Sequence, residues 1–326
     1  MAVKDQVLSY LESHKGTFVS GAALAKELGV TRNSVWKAIK GLEAQGYAIE
    51  GVTNKGYRLA DDCSILSAAS IERFLTNPKV RVEFHETIDS TNNRAKELAA
   101  SGAPQGTLVV ADCQTAGRGR QGRPFYSPAG TGVYFTLVLR PGFALGDVTY
   151  ITSYAAVCTA TAMEEIFGVE VQIKWVNDVF VAGHKCCGIL TEAAVLPETG
   201  GVDYAVVGIG INVAQPQGGF PDEFKGVAQA LCPHGAQDGD TRARLVARIA
   251  DLLMADVDAI PSCPHLESYR AHSLLDGRTV TVYMGSESFT ATVIGVNDNF
   301  TLEVELEDGT RKALTSGEVH IPSSQL

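Results

Sequence analysis

The sequence predicts a mixed α/β (α+β) protein in three parts. Three observations predict it: the hydrophobic period changes along the chain, glycines punctuate the periodic runs, and charge is unevenly spread. Residues 1–60 read as short helices and a hairpin. The stretch to about 270 mixes strands with helices, and the remainder shows short strands only. At 326 residues the chain is long enough for two or three domains with a real core. Expected boundaries are 1–62, 63–270 and 271–326, with ADDCSIL as the first linker. The 45% hydrophobic and 20% charged content excludes a disordered or fibrous class.

In the first part VLSYLESH is an amphipathic helix. SGAALAKELG is a second, capped by Ser20 and stopped at Gly29, and RNSVWKAIKGLEAQG a third, capped by Thr31 and ended by Gly46. Val35, Ile39 and Leu42 repeat at helical spacing and should face the core, which turns Arg32, Asn33, Trp36, Lys37 and Lys40 outward. YAIEGVTNKGYRL follows as two strands around TNKG, bringing Lys55 and Arg58. Two helices and a hairpin in this order make a winged helix-turn-helix, whose basic outer face suits base edges and phosphates in a major groove. A small helical bundle for protein contacts is the competing reading. Charge favours DNA: residues 1–60 carry +3, and the other 266 residues carry −13.

In the body VRVEFHETI, TLVVADC, GVYFTLVLR and VEVQIKW read as strands. FVAGHKCCGILTEAAV and VDYAVVGIGINV read as two more. NNRAKELAASG, DVTYITSYAAVCTATAMEEIFG and DTRARLVARIADLLMADVDAI read as helices, and 214–239 as an irregular connection rich in Gly, Pro and Gln. From about 273, GRTVTVYM, SFTATVIGV, FTLEVEL and RKALT turn at MGSE, NDN and EDGT, which suggests a small SH3-like β-barrel. Seven cysteines with no CxxC pair fit reduced thiols in a cytoplasm rather than a disulfide framework. Neither a secretory signal nor a membrane-length apolar run is present in the sequence.

The stretch QTAGRGRQGRPF, 114–125, is unusual in so acidic a chain. It sets Arg118, Arg120 and Arg123 among Gly117, Gly119 and Gly122. Lying between two strands, it should be a long crossing segment at a sheet edge. Glycines let backbone N–H groups approach a ligand, and guanidinium forks match phosphate or carboxylate oxygens. A solvated loop of the same composition is the alternative, and neither a Walker loop nor a dinucleotide fingerprint is present. Three more clusters share this ambiguity. DSTN, 89–92, could cap a helix or hold a polar ligand. KWVND, 174–178, could be a simple turn, and the lysine of HKCCGILTE, Lys185, could be solvated. In GIGIN, 208–212, alternating glycines either relieve packing or leave room for a ring.

Taken in order, DSTN, QTAGRGRQGR, KWVND, K-x-x-GIL-x-E and GIGIN resemble the biotin protein ligases, and with the winged helix the chain is similar to the bifunctional ligase/repressor form. The resemblance spans essentially the whole chain, including the tail ending in LTSGEVHI. It departs at Val176, where the family has proline, which is expected to loosen a turn, and at Phe125, which replaces a tryptophan but keeps an aromatic wall.

The resemblance implies a class II synthetase-like, mixed-sheet catalytic domain. It would join biotin to ATP, with Mg2+, as biotinyl-5′-AMP, then pass biotin to a lysine of the biotin carboxyl carrier domain of acetyl-CoA carboxylase. Ser90, Thr91, Asn92 and Gln114 would meet biotin. Arg118, Gly119 and Arg120 would lie over carboxylate and phosphate, with Gly117, Gly188 and Asn212 completing the ligand contacts. Lys185 would bridge carboxylate and α-phosphate, and Asp178, supported by Asn177, would position metal or acceptor lysine. No dedicated metal site is implied. The same resemblance implies a cytoplasmic, ligand-induced homodimer on operator DNA, without membrane attachment. Alternatives at this stage are a lipoate ligase and a regulator that senses biotin without ligase activity. An RNA-binding role for the Gly-Arg tract fails on charge, because a body at −13 repels a polyanion.

Overall fold

Helices of the N-terminal unit begin where the sequence places a cap. After α1 (Val3–Ser13), the Ser20 hydroxyl accepts the Ala23 N–H and opens α2 (Gly21–Glu27), and Thr31 accepts the Ser34 N–H to open α3 (Arg32–Ala44). Val35, Ile39 and Leu42 are buried with Val7, Leu11 and Leu24, while Arg32, Asn33, Trp36, Lys37 and Lys40 are exposed as expected. Strands β1 (Ile49–Val52) and β2 (Gly56–Leu59) form the antiparallel wing, Ile49 facing Leu59 and Val52 facing Gly56. At Gly56, with φ +101°, a Cβ would collide with the Val19 carbonyl. This close approach lets Tyr57 and Val19 exchange backbone bonds of 2.8 and 2.9 Å and fixes the wing against the helices.

The structure is a computed structural model that describes residues 2–63, 65–142, 148–196, 201–226, 228–232, 240–285 and 287–321. They fall into two units, Met1–Pro78 with Ala236–Arg248, and Lys79–Gly235 with Ile249–Leu326. In the first unit α4 (Ala68–Glu72) follows the Ser67 cap. An ion cluster then ties the later segment to the end of α1: Lys15 Nζ lies 2.6 Å from Asp240 and 2.7 Å from the Cys63 carbonyl, and Arg73 pairs with Asp240 and, at 3.6 Å, with Glu12 of α1.

In the second unit β3 (Arg81–Ile88), α5 (Thr91–Ala100), β4 (Thr107–Gln114), β5 (Gly132–Leu139), α6 (Val148–Phe167), β6 (Gln172–Lys174), β7 (Asp178–Val181), β8 (His184–Val195) and β9 (Val202–Asn212) follow in order. Seven strands make one mixed sheet, β3-β4-β5-β9-β8-β7-β6, parallel only between β3 and β4. Ala95 and Ala99 of α5 let that crossover helix pack closely on Val109, Val138 and Val206. The run 180–195 was expected to be one strand. It is the end of β7 and all of β8, because Ala182 (φ +49°) and Gly183 (φ +78°) turn the chain. The arginine-rich segment is not an edge crossing either. It links β4 to β5, antiparallel neighbours inside the sheet, so it leaves and re-enters at one end of the sheet.

Next come α7 (Thr241–Ala255), which ends before a 3-10 turn containing Pro261, and α8 (Leu266–Ala271). Strands β10 (Thr279–Met284), β11 (Glu287–Val296), β12 (Leu302–Glu305), β13 (Arg311–Leu314) and β14 (Glu318–His320) close the chain as a sheet of order β13-β12-β11-β10-β14. No ladder joins β13 to β14 among the described residues, so the expected barrel is an open sheet. Its Phe300 is buried, stacked on His265 with 4.8 Å between ring centroids and edge-on to Tyr269.

Candidate functional site

One row of the central sheet explains where the site lies. Asp178, Gly188, Gly210, Tyr134 and Ala111 are successive cross-strand neighbours, so two glycines leave a trough between a carboxylate and a phenol ring. Phe125 fills the space over Gly210, where a Cβ would strike its ring, and meets Tyr134 edge-on. At Gly208 a Cβ would strike the Asn92 amide. Both glycines therefore relieve close packing, Gly208 against the Asn92 amide and Gly210 against the Phe125 ring.

A cavity of about 420 Å³ opens on this trough. Ser90, Thr91, Asn92, Gln114, Arg118, Gly119, Arg120, Asp178, Lys185, Gly188 and Asn212 all line it. Gly117 does not. Its missing Cβ instead admits the Phe125 carbonyl across the loop, where the Phe125 N–H donates to Gly117 O at 2.9 Å. The arginine segment is thus folded on itself, with the Gly119 N–H on Arg123 O and the Gln114 N–H on Ser127 O.

Three of the cations that line the cavity are already held by partners. Lys185 Nζ lies 2.6 Å from Asp178, Arg120 donates to Asn177 Oδ1 at 2.9 Å, and Arg118 donates to Asn93 at 2.8 Å and Glu192 at 3.2 Å. Asn177 is fixed in turn by Nδ2 on the Ile189 carbonyl, at 3.0 Å. The turn that carries Val176 is further pinned by the Trp175 indole N–H on Phe300 O, at 2.8 Å. Ser90 starts α5 but its hydroxyl makes no capping bond, which leaves that buried side chain to the cavity. Gln114 Oε1 instead accepts the Thr91 N–H at 2.9 Å.

Sequence reasoning missed several lining groups. Lys174 is one: burial pushes its ammonium below the ordinary lysine range, against the pull of Asp178. Arg123 forms a bidentate pair with Glu318 of β14, and Tyr126 stacks on Phe224. These partners are remote in sequence, so no local signal announces them. No group of three metal-ligating side chains exists among the described residues. Among them three carboxylates line the cavity, Asp178, Glu223 and Glu318, and the first is paired with Lys185.

On the winged unit Arg58 is committed to Glu50 at 2.7 Å and lies over the Phe18 ring, and Lys40 pairs with Glu43 at 2.6 Å. Arg32, Asn33, Trp36 and Lys37 stay exposed on α3, and Lys55 on the wing. Among the described residues no helix is long and apolar enough to cross a membrane.

Fold and site together define a ligase-type catalytic domain joined to a helix-turn-helix module. Residues 84–212 match the biotin/lipoate A/B protein ligase family, and residues 3–58 match an HTH domain. The chain is 36% identical to the bifunctional ligase/repressor BirA of Bacillus subtilis over 90% of its own length and 91% of that protein's. It is 30% identical to the biotin–[acetyl-CoA-carboxylase] ligase of Mycobacterium tuberculosis, over 71% of this chain and 85% of the other. A biotin protein ligase from Aquifex aeolicus, solved in complex with biotin and ATP, superposes with a TM-score of 0.59 at 28% identity, over 74% of this chain and 98% of that one. The chain belongs to the bifunctional biotin ligase/repressor family.

Proposed function

We propose that this chain activates biotin with ATP, transfers it to a lysine of a biotin carboxyl carrier domain, and represses transcription through its winged helix. The observation that carries the reading is the convergence of Arg118, Arg120 and Lys185 on one glycine-floored cavity. In the first half-reaction the biotin carboxylate attacks the α-phosphate and pyrophosphate leaves. Two anions must meet, and fixed cations offset the charge that develops. Lys185, oriented by Asp178, takes the oxygens shared by carboxylate and phosphate, while Arg118 and Arg120 exchange their present partners for the ligand. Asp178 would help hold a magnesium ion brought in with the triphosphate, which would supply further positive charge. In the second half-reaction an acceptor ε-amine attacks the acyl carbon and AMP leaves, so no covalent enzyme intermediate is needed.

Ser90, Thr91 and Gln114 form the wall suited to a polar ring, and Phe125 the apolar face over it. We further read three domains, dividing near 62 and 270, with a class II synthetase-like centre and an SH3-like open C-terminal sheet. Ligand-promoted dimerisation through an edge of the central sheet would bring two α3 faces to an operator. Sedimentation equilibrium with and without biotin plus ATP tests the dimer. Incubation with biotin, MgATP and a carrier domain tests the ligase: one added biotinyl group per carrier is expected, and an unmodified carrier refutes it.

A further inference from the structure

Glu192 closes the K-x-x-GIL-x-E motif, yet the chemistry above gives it no role. Its carboxylate gathers three donors: Lys96 Nζ at 2.8 Å, Asn92 Nδ2 at 2.9 Å and Arg118 Nη2 at 3.2 Å. Burial alone would push this carboxyl up, but the bonds from Lys96 and Asn92 outweigh burial and hold it below the ordinary range.

These contacts dictate the direction of a hydrogen-bond chain in the cavity wall. Asn92 Nδ2 faces two groups that can only accept, the Leu190 carbonyl at 3.2 Å and Glu192, so its oxygen must face Thr136. The Thr136 hydroxyl lies 2.7 Å from Asn92 Oδ1 and 2.9 Å from Thr91 Oγ1. A hydroxyl has one proton, and Oδ1 cannot donate. The Thr136 proton therefore goes to Asn92, and the contact with Thr91 is made with the Thr91 proton. Gln114 spends its Nε2 on Ser127 at 3.0 Å, and its Oε1 takes the Thr91 N–H at 2.9 Å; with the Thr91 proton directed to Thr136, the nearer of its two acceptors, Oε1 keeps a free lone pair. Were the Asn92 amide turned over, the chain would reverse. Thr136 would donate to Thr91, and Thr91 would spend its proton on Gln114 Oε1, 3.1 Å away. That reversal would use up acceptor sites on the cavity wall.

We propose that Glu192 is a specificity-determining positioning residue: by orienting the Asn92 amide it sets the wall formed by Thr91 and Gln114 to accept hydrogen bonds, and so to select a ligand bearing a ring N–H, as a cyclic urea does, over an acid that lacks one. The inference rests on the biotin reading. Replacement by glutamine leaves one acceptor oxygen where Lys96 and Asn92 need two, so the amide keeps only the longer bond to the Leu190 carbonyl and its orientation is no longer fixed by a carboxylate. Aspartate keeps both oxygens.

The test is equilibrium binding, on the full chain, of biotin and of an analogue methylated at both ureido nitrogens. Wild type should prefer biotin. Glu192→Gln should lose about tenfold in biotin affinity with the analogue unchanged, so the preference collapses, and Glu192→Asp should restore part of it. Equal losses for both ligands would mark a merely structural role and overturn the proposal, as would an unaltered preference. Should Glu192→Gln not fold, Thr136→Val makes the same test, because the Thr91 proton then turns to Gln114. A wild type that binds no biotin overturns the ligase reading together with this one; biotin binding with an unchanged preference in Glu192→Gln overturns the role of Glu192 alone.

Discussion

Lys185 Nζ sits 2.6 Å from Asp178 Oδ1, and the two side chains come from adjacent strands of the central sheet. Asp178 is directly opposite Gly188 in the ladder, so no side chain intervenes between the carboxylate and the trough. Both groups are only partly exposed, which makes the pair more than a screened surface contact. It holds the ammonium in the cavity wall before any anion arrives. On the proposed mechanism Lys185 must loosen its hold on Asp178 when it engages the phosphate.

Lys185→Ala and Arg120→Ala should each slow adenylate formation by about 10²–10³-fold, the usual penalty for losing one preorganised donor to a developing charge. Neither side chain belongs to the hydrophobic core, so circular dichroism should be unchanged. Biotin-dependent pyrophosphate release is the measurement. Wild-type rates in both variants would remove these cations from the mechanism.

Gly210→Ala places a methyl group where the Phe125 ring now lies, and the ring must leave the strand. The backbone of β9 is ordinary there, so strain falls on the ligand site rather than on the sheet. Biotin affinity should fall by about 1–3 kcal/mol, the scale of an overpacked contact. Calorimetric titration would detect it, and the thermal midpoint should move far less than for a core substitution.

Much of this site was legible from local chemistry. The Ser20 and Thr31 caps, the buried face of α3 and the glycines opposite Asp178 and Tyr134 obey short-range rules of capping, period and clearance. What could not be read depends on partners that only folding brings together. Arg123 meets Glu318, 195 residues away, and Asn92 meets Glu192, 100 residues away. Arg123 looked like one more ligand-facing cation, and the structure gives it a bidentate carboxylate partner. The split of β7 from β8 was missed because Ala182 is an unusual residue at positive φ, and its neighbour Gly183 is not by itself a turn signal.

Lys37 is exposed on the outer face of α3 and makes no ion pair among the described residues, unlike Lys40. If it meets a phosphate, Lys37→Ala should weaken operator binding at every sequence alike and flatten the dependence of log affinity on log salt by about one unit. Gel-shift titrations at several salt concentrations measure that slope. An unchanged slope would assign α3 to protein contacts instead, the competing reading of the N-terminal unit.

His265 ties acid stability to the packing behind the KWVND turn. The ring is buried, stacked on Phe300 and held to Ser153 Oγ at 2.9 Å. Burial lowers its pKa to about 4, outweighing a backbone bond to Tyr150 that acts the other way. The sign follows from proton uptake. Between the unfolded value of about 6.5 and the folded value the unfolded chain binds a proton that the folded chain refuses, so stability rises with pH in that window. On acidification the contribution begins to be lost near pH 6.5 and is gone near pH 4, a change of about 3 kcal/mol at most. His265→Phe keeps an aromatic ring against Phe300 and cannot titrate, while Ser153 retains its bond to the Tyr150 carbonyl at 2.9 Å. Melting curves of the two proteins should therefore converge as pH falls from 7 to 4, the variant losing less over that range. Parallel curves would show that the buried imidazole does not set the acid limit of this unit.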